Sequence, residues 1–431
     1  MAEKLRFYHL TDLHYNSGSG KTDSDMRRAI SGAFDLLIDD KETEIILISG
    51  DLTDNGDIES HRAVIKELER LVAAGKKVYV TFATHDWYWN QDKITRKQLR
   101  ELYAPYGFEQ AYDEFESYSY AVKLCDGWRL LALNDDGDGR NFCGASDEEL
   151  QWIKKLLDDA KAAGDRVIAM VHHPVLPPNP IYPLVSDRDM YGGYRKAGPF
   201  LCENGLKYLF VGHTHMQDIR FIEAGGNRMY QVNTGSITQY TSVMRYVEEC
   251  DKGLDVKSVY IDKKYCEIDG RSVSEFLVDD LKEMLTGAVY AMGYDIEKFA
   301  GVCVGMSMDY NTVIKLKKLI LPVGKFIYGL TFGKAARLLL CSNRLPKEAK
   351  NIKIVDVVAE AGGRIFRGNE NLSPDTPEYQ GFTLIADRLK PVIRLFKKDL
   401  DPVKLVQSII YDDGPDDENA VLYERGEYTN V

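Results

Sequence analysis

Five short polar segments hold most of what this chain could use for chemistry: Thr11-Asp12-Leu13-His14, Ser49-Gly50-Asp51, Thr84-His85-Asp86, His172-His173-Pro174 and Gly212-His213-Thr214-His215. Six of the eight histidines in the 431 residues fall inside them, which chance scattering would not produce. Asp12 and His14 are two residues apart, as are His213 and His215, so a bend in extended chain lets both members of a pair approach one ion. A mixed carboxylate and imidazole donor set suits Mn, Fe, Zn, Co or Ni. A carboxylate such as Asp51 can bridge two cations and hold them the roughly 3.5–4 Å apart that in-line phosphoryl displacement uses. Gly50 and Gly212 leave room for the backbone to turn close to such ions.

Each segment needs an element to position it, and each follows a run that reads as a strand. Those runs include Ile45 to Ile48, Val78 to Phe82, Leu130 to Leu133, Val167 to Val171 and Tyr208 to Val211, with helices expected over Asp25 to Asp39, Glu59 to Ala74 and Asp147 to Ala163. Ser146 can cap the last of these, with Glu149 at capping-box spacing. Such alternation predicts an α/β domain, whose ligands belong outside the carboxyl ends of its strands. After about residue 268 the pattern turns helical: Val273 to Met292, Met308 to Ile320, Lys325 to Leu340, and Leu384 to Lys398 with a bend or break at Pro391. The expected division is therefore 1–268 for the α/β domain and 269–431 for a mostly helical C-terminal domain serving as a lid or a dimer contact.

In order and spacing the five segments resemble the calcineurin-like metallophosphoesterase family, over roughly the first 240 residues. The H-H-P form of the fourth segment and the added helices look most like bacterial class III cyclic-nucleotide phosphodiesterases and glycerophosphodiesterase-like enzymes. The resemblance implies a four-layered α/β/β/α sandwich. It implies one metal among Asp12, His14, Asp51 and His215 and a second among Asp51, His172 and His213, with Mn, Fe or Zn as the expected metals. It further implies a metal-bridging hydroxide as nucleophile, His85 contacting the substrate phosphate and protonating the leaving oxygen, and Asp86 orienting His85. The substrate it implies is a small phosphodiester or phosphomonoester, a cyclic nucleotide or a glycerophosphodiester being examples. One residue departs from the family pattern: Thr84 stands where an Asn carbonyl would bind the second metal, so that site is expected to be weaker, or completed by water or the Thr84 oxygen. This departure sustains the rival reading of a catalytically weakened, protein-binding scaffold.

The remaining chemistry-bearing residues are less tightly placed. His173 is read as supporting the site or binding substrate. Val175 to Pro199 reads as a Pro- and Gly-rich lid loop carrying Tyr182, Tyr191 and Tyr194, with Arg188 and Arg195 as candidate phosphate clamps. His9 reads as packing and His61 as surface, while Asp135-Asp136 and the acidic run from Asp412 to Glu418 read as solvated turns. A net charge of −12 argues against a nucleic-acid polymer as partner. Seven scattered cysteines without CxxC spacing suit a reducing compartment, and no signal peptide precedes Phe7, so a cytoplasmic location is expected. The lysine-bearing stretch from Met308 to Leu340 reads as amphipathic core helices; no membrane partner is expected, and a homo-oligomer is left open.

Overall fold

The computed structural model describes residues 4–87, 94–135, 144–179, 182–185, 189–305, 309–369, 371–396, 400–411 and 414–424. Two sheets face each other. The first runs in the order Asn419–Tyr423, Gly253–Tyr260, Val243–Cys250, Arg6–Leu10, Ile45–Ser49, Lys77–Thr81, the last three parallel. Ile45–Ser49 is buried along its whole length, as a parallel strand covered on both faces must be. The second sheet runs Asp113–Glu114, Tyr120–Cys125, Trp128–Ala132, Arg166–Met170, Tyr208–Val211, Asn227–Asn233, Asp218–Ala224. Four of its strands, from Trp128–Ala132 to Asn227–Asn233, are parallel.

Phe7 of the first sheet meets Phe210 of the second edge to face at 5.1 Å, inside one core drawn from both sheets. Helices Lys21–Asp39 and Ile58–Ala73 add Phe34, Leu37, Val64 and Leu68 to that core on the outer side of the first sheet. Asp147–Ala163 and Tyr194–Glu203 cover the second sheet through Ile153, Leu157, Ala197 and Leu201. The result is the expected α/β/β/α sandwich. Ser146 caps Asp147–Ala163 by accepting from the Glu149 amide, but the Glu149 carboxylate turns away to accept from Ser117 and Ser119, both at 2.6 Å.

The helical part departs from the sequence expectation at its breaks. Met308 lies outside the described residues, and the stretches expected from there to Ile320 and from Lys325 to Leu340 are instead Tyr310–Lys315, Lys317–Tyr328 and Phe332–Leu338: Asp309 and Thr331 cap the first and third, Leu316 separates the first two and Gly329 ends the second. Pro377–Phe396 runs through the exposed Pro391 without stopping. Val175 to Pro199 is not one loop: it contains Tyr182–Val185 and the start of Tyr194–Glu203.

The acidic run is also more than a solvated turn, although Asp412 and Asp413 lie outside the described residues. Asp417 is buried and accepts from the Ile219 amide, and the Glu418 carbonyl accepts from the buried Arg245 guanidinium at 3.0 Å. The Glu418 carboxylate takes Arg367 Nε at 2.7 Å and the Tyr260 hydroxyl at 2.9 Å. These contacts seat Asn419–Tyr423 on Gly253–Tyr260, so the first sheet takes its edge strand from beyond the helices.

Candidate metal centre

All five polar segments leave the carboxyl ends of strands, three from the first sheet and two from the second, and they meet where the two sheets face each other. The chain bends sharply there. Asp12, His14, Asp51, His213 and His215 all have positive φ, between 42° and 67°. That left-handed conformation is costly for residues with a Cβ and persists only where the surroundings impose it. Asp12 and His14 are held by amide donation to the Gly50 and Asp51 carbonyls at 3.2 and 2.9 Å. Two glycines permit the approach. A Cβ at Gly212 would collide with Thr11 Oγ1 and sit 2.5 Å from Asp12 Oδ2, and one at Gly50 would lie 2.8 Å from His172 Nδ1.

The donor atoms then converge. Asp12 Oδ2 accepts from the Thr11 hydroxyl at 2.7 Å and the His213 amide at 2.9 Å, which leaves Oδ1 facing His215, His14 and His172 Nε2 at 3.1, 3.6 and 3.8 Å. His14 and His215 bring their Nε2 atoms within 3.2 Å of each other. Asp51 Oδ2 lies 3.7 Å from His14 Nε2 and 3.2 Å from His172 Nε2, so one oxygen belongs to both halves of the cluster. His213 Nδ1 is 3.2 Å from His172 Nε2, and His172, His173 and His213 form one group able to hold an ion. Two donors each 2.0–2.1 Å from a tetrahedral ion stand about 3.3 Å apart. The donors here have that spacing.

Tautomers point the same way. Nδ1 of His172 is engaged by the Ser49 carbonyl at 2.8 Å, that of His173 by Asp135 at 3.0 Å and that of His215 by Gln239 Oε1 at 2.8 Å. A ring that donates its Nδ1 proton to oxygen presents a bare Nε2, the arrangement of metal-binding histidines. The carboxylates and rings also set one another's ionisation. Against the upward push of burial, His215 and His172 hold the Asp12 carboxyl well below its ordinary range, and His172 does the same for Asp51. Burial works against His172, but Asp51 and Asp12 push it up to about 10.

The catalytic candidates fall beside this cluster. His85 lies half-buried in the short helix Thr84–Trp87; its amide donates to Asp51 Oδ1 at 3.1 Å and its Nδ1 to the Asp54 carbonyl at 2.6 Å. Asp86 does not orient that ring, as had been expected: its carboxylate accepts from the Thr53 and Ala83 amides at 2.9 and 3.0 Å, fixing the turn, while burial and Asp51 push its carboxyl up to about 8. Thr84 opens the same helix, half-buried. Arg195 is exposed on Tyr194–Glu203 with its guanidinium 4.5 Å from the Tyr194 ring centre, and Arg188 lies outside the described residues.

Three supporting residues escaped the sequence. Asp135 is buried against His173, not a solvated turn. Asp54 holds His85 through its carbonyl and brings its carboxylate to 3.7 Å from His14 Nδ1; its place three residues after Asp51 was the available signal. His61 is fully buried rather than on the surface, bonding the Tyr103 hydroxyl at 2.9 Å and the Asp86 carbonyl at 2.8 Å. A cavity of about 360 Å³ opens from His14 and Asp54 toward Leu277, Leu281 and Met284 of helix Val273–Tyr294.

A family model, calcineurin-like phosphoesterase, matches residues 5–217 and so takes in all five segments. Those residues are a calcineurin-like phosphoesterase domain. The chain is also similar to two curated proteins. A "probable glycerophosphodiester phosphodiesterase" of Arcobacter nitrofigilis is 28% identical over 133 residues, 30% of this chain and 42% of that protein. A "probable cyclic nucleotide phosphodiesterase" of Rhodococcus erythropolis is 26% identical over 219 residues, 48% of this chain and 64% of that protein. The matches thus span less than two thirds of either relative. Among solved structures, a dimetal phosphatase from Danio rerio is 13% identical with a TM-score of 0.46, covering 60% of this chain and 96% of that one.

Proposed function

We propose that this chain hydrolyses a small phosphate ester, a phosphodiester by preference, at a two-metal centre built on the strand ends. The observation that carries the reading is the single Asp51 Oδ2 shared between the His14 and His172 halves of the cluster. Asp12, His14, Asp51 and His215 are assigned to one ion and Asp51, His172 and His213 to the other. His173 is assigned as the further donor of the second ion in preference to Thr84, because its Nδ1 is tied to Asp135 and it groups with His172 and His213. Bound cations would lower the pKa of water and neutralise charge building on the phosphoryl oxygens. The protein's own residues do the rest. With Nδ1–H held by the Asp54 carbonyl, His85 points Nε2 outward, and as an imidazolium it gives the Nε2 proton to the leaving oxygen and keeps the Nδ1 proton. The cavity toward Leu277 and Met284 receives the organic group.

The names of the two curated relatives favour a diester over a monoester. The six described cysteines, all free thiols, fit a cytoplasmic setting. We also divide the chain at residue 268 into the phosphoesterase domain and a helical part, whose closing strand Asn419–Tyr423 returns to the first sheet. The test compares bis(p-nitrophenyl) phosphate with p-nitrophenyl phosphate under added Mn, in wild type and Asp51→Asn. Metal-dependent turnover of the diester, lost in Asp51→Asn, is expected. Turnover of neither ester by metal-loaded protein would reject hydrolysis and leave the scaffold reading.

A further inference from the structure

The helices between residues 310 and 353 carry a charge opposite to the rest of the chain. Between residues 310 and 353 stand ten Lys and Arg against one acidic residue, Glu348: a net +9 within a chain of −12, which leaves −21 elsewhere. The same stretch exposes apolar side chains that a folded helix would ordinarily hide. Leu316 is 46% exposed, Leu319 69%, Val323 49% and Phe326 51%. Their spacing of three, four and three residues places them on one stripe. The packed side of Lys317–Tyr328 is a different one, marked by buried Gly324, where an added Cβ would strike the backbone of Met292 and Gly293. Lys315 and Lys318 are exposed beside the stripe, and among the described residues neither forms an ion pair, whereas Lys317 shares the face of Gly324 and Lys325 lies with its Nζ 5.5 Å from the Tyr294 ring centre.

We propose that this face docks the protein peripherally on an anionic lipid surface, with the stripe entering the headgroup boundary and the lysines on the lipid phosphates. Basic amphipathic helices with Leu and Phe on the apolar face bind membranes by this combination of buried area and charge. No described helix is long and apolar enough to cross a bilayer, so the contact is with its surface. A second copy of the chain is a poor occupant, because a two-fold contact through one patch sets its lysines against their own equivalents. Nucleic acid would match the charge but not the stripe. The sequence expectation of amphipathic core helices gives way here: the stripe lies outside the core because Gly324, not the stripe, makes the close helix contact.

The test is flotation of the full chain with phosphatidylcholine vesicles, alone or containing phosphatidylglycerol, at low and high salt. Binding to the anionic vesicles only, weakened by salt, is expected. Lys315→Gln with Lys318→Gln should weaken it about 25-fold, at about fivefold per removed charge. Leu319→Asp with Phe326→Asp should abolish it while leaving thermal melting unchanged, since both positions are exposed. No binding to anionic vesicles, or equal binding by the Leu319→Asp, Phe326→Asp protein, overturns the proposal. So does a dimer in light scattering that those two substitutions dissolve.

Discussion

Asp12, Asp51, His172 and His173 are each 2% exposed or less, on a backbone bent into positive φ at five positions around them. Across the helices that begin at Val273 the pattern reverses: charged residues lie outside, and Leu319, Leu338 and Leu340 are 65–90% exposed. Among described non-glycine residues there, Leu340 alone has positive φ. The difference teaches where each region gets its order. The strand ends are strained, polar and dehydrated, and hold only because a core continuous across both sheets fixes the strands that lead into them. The helices join that core only through Val273 and Leu277 among their buried residues, and otherwise rest on small separate clusters, one around Phe332 and Ala336, another around Ala300, Cys303 and Val313.

The sharpest break of this contrast is at Asp51. Asp51→Asn is expected to lower kcat/KM on bis(p-nitrophenyl) phosphate by about three orders of magnitude, the scale on which removal of an electrostatic partner of the transition state acts. The comparison predicts that Leu340→Asp changes it less than about twofold. Steady-state kinetics of the two proteins side by side checks both. Next comes the core. Phe210→Ala should cost about 3–5 kcal/mol in denaturant melts and take activity with it, whereas Phe332→Ala should lower the stability of the helices and leave turnover standing.

A third effect is set by buried histidines in the sandwich. Burial lowers His9 to about 3 and His61 to about 4, below their ordinary value of about 6.5. The unfolded chain therefore binds more protons. Their contribution is complete above about pH 6.5 and is lost as the pH falls toward 4, at up to about 2.7 kcal/mol per pH unit for the two together. Urea midpoints measured across that window should show this slope, and His61→Gln, which cannot protonate, should halve it. The smallest effect is expected at the clasp: Asp417→Ala leaves the Ile219 amide without its acceptor and should cost about 1–3 kcal/mol.

How far such contrasts could be read beforehand depends on distance along the chain. The strand-end motifs were legible because each is a run of a few residues after an apolar run, and convergence of their ends follows from an α/β sheet. The supports were not. Asp135 reaches His173 across 38 residues, and His61 reaches the Asp86 carbonyl across 25, so neither partner can be inferred from local pattern. Asp417 looked solvated because its acceptor role is toward an amide 198 residues away. The run Ala420-Val421-Leu422-Tyr423 has a strand's composition, but nothing local places Asn419–Tyr423 beside Gly253–Tyr260. The helix starts at Tyr310 and Phe332 were local and could have been taken from Asp309 and Thr331 as caps, whereas the break at Leu316 carries no side-chain cap.

The central claim is that two ions share Asp51, with His173 serving the second. Metal content after equilibrium dialysis against Mn or Zn, in wild type, His173→Ala and Asp51→Asn, tests it most directly. Two ions per chain are expected in wild type, one retained in His173→Ala, and fewer than two in Asp51→Asn. A wild-type chain that holds one ion or none, or a His173→Ala chain that still holds two with unchanged affinity, would contradict it.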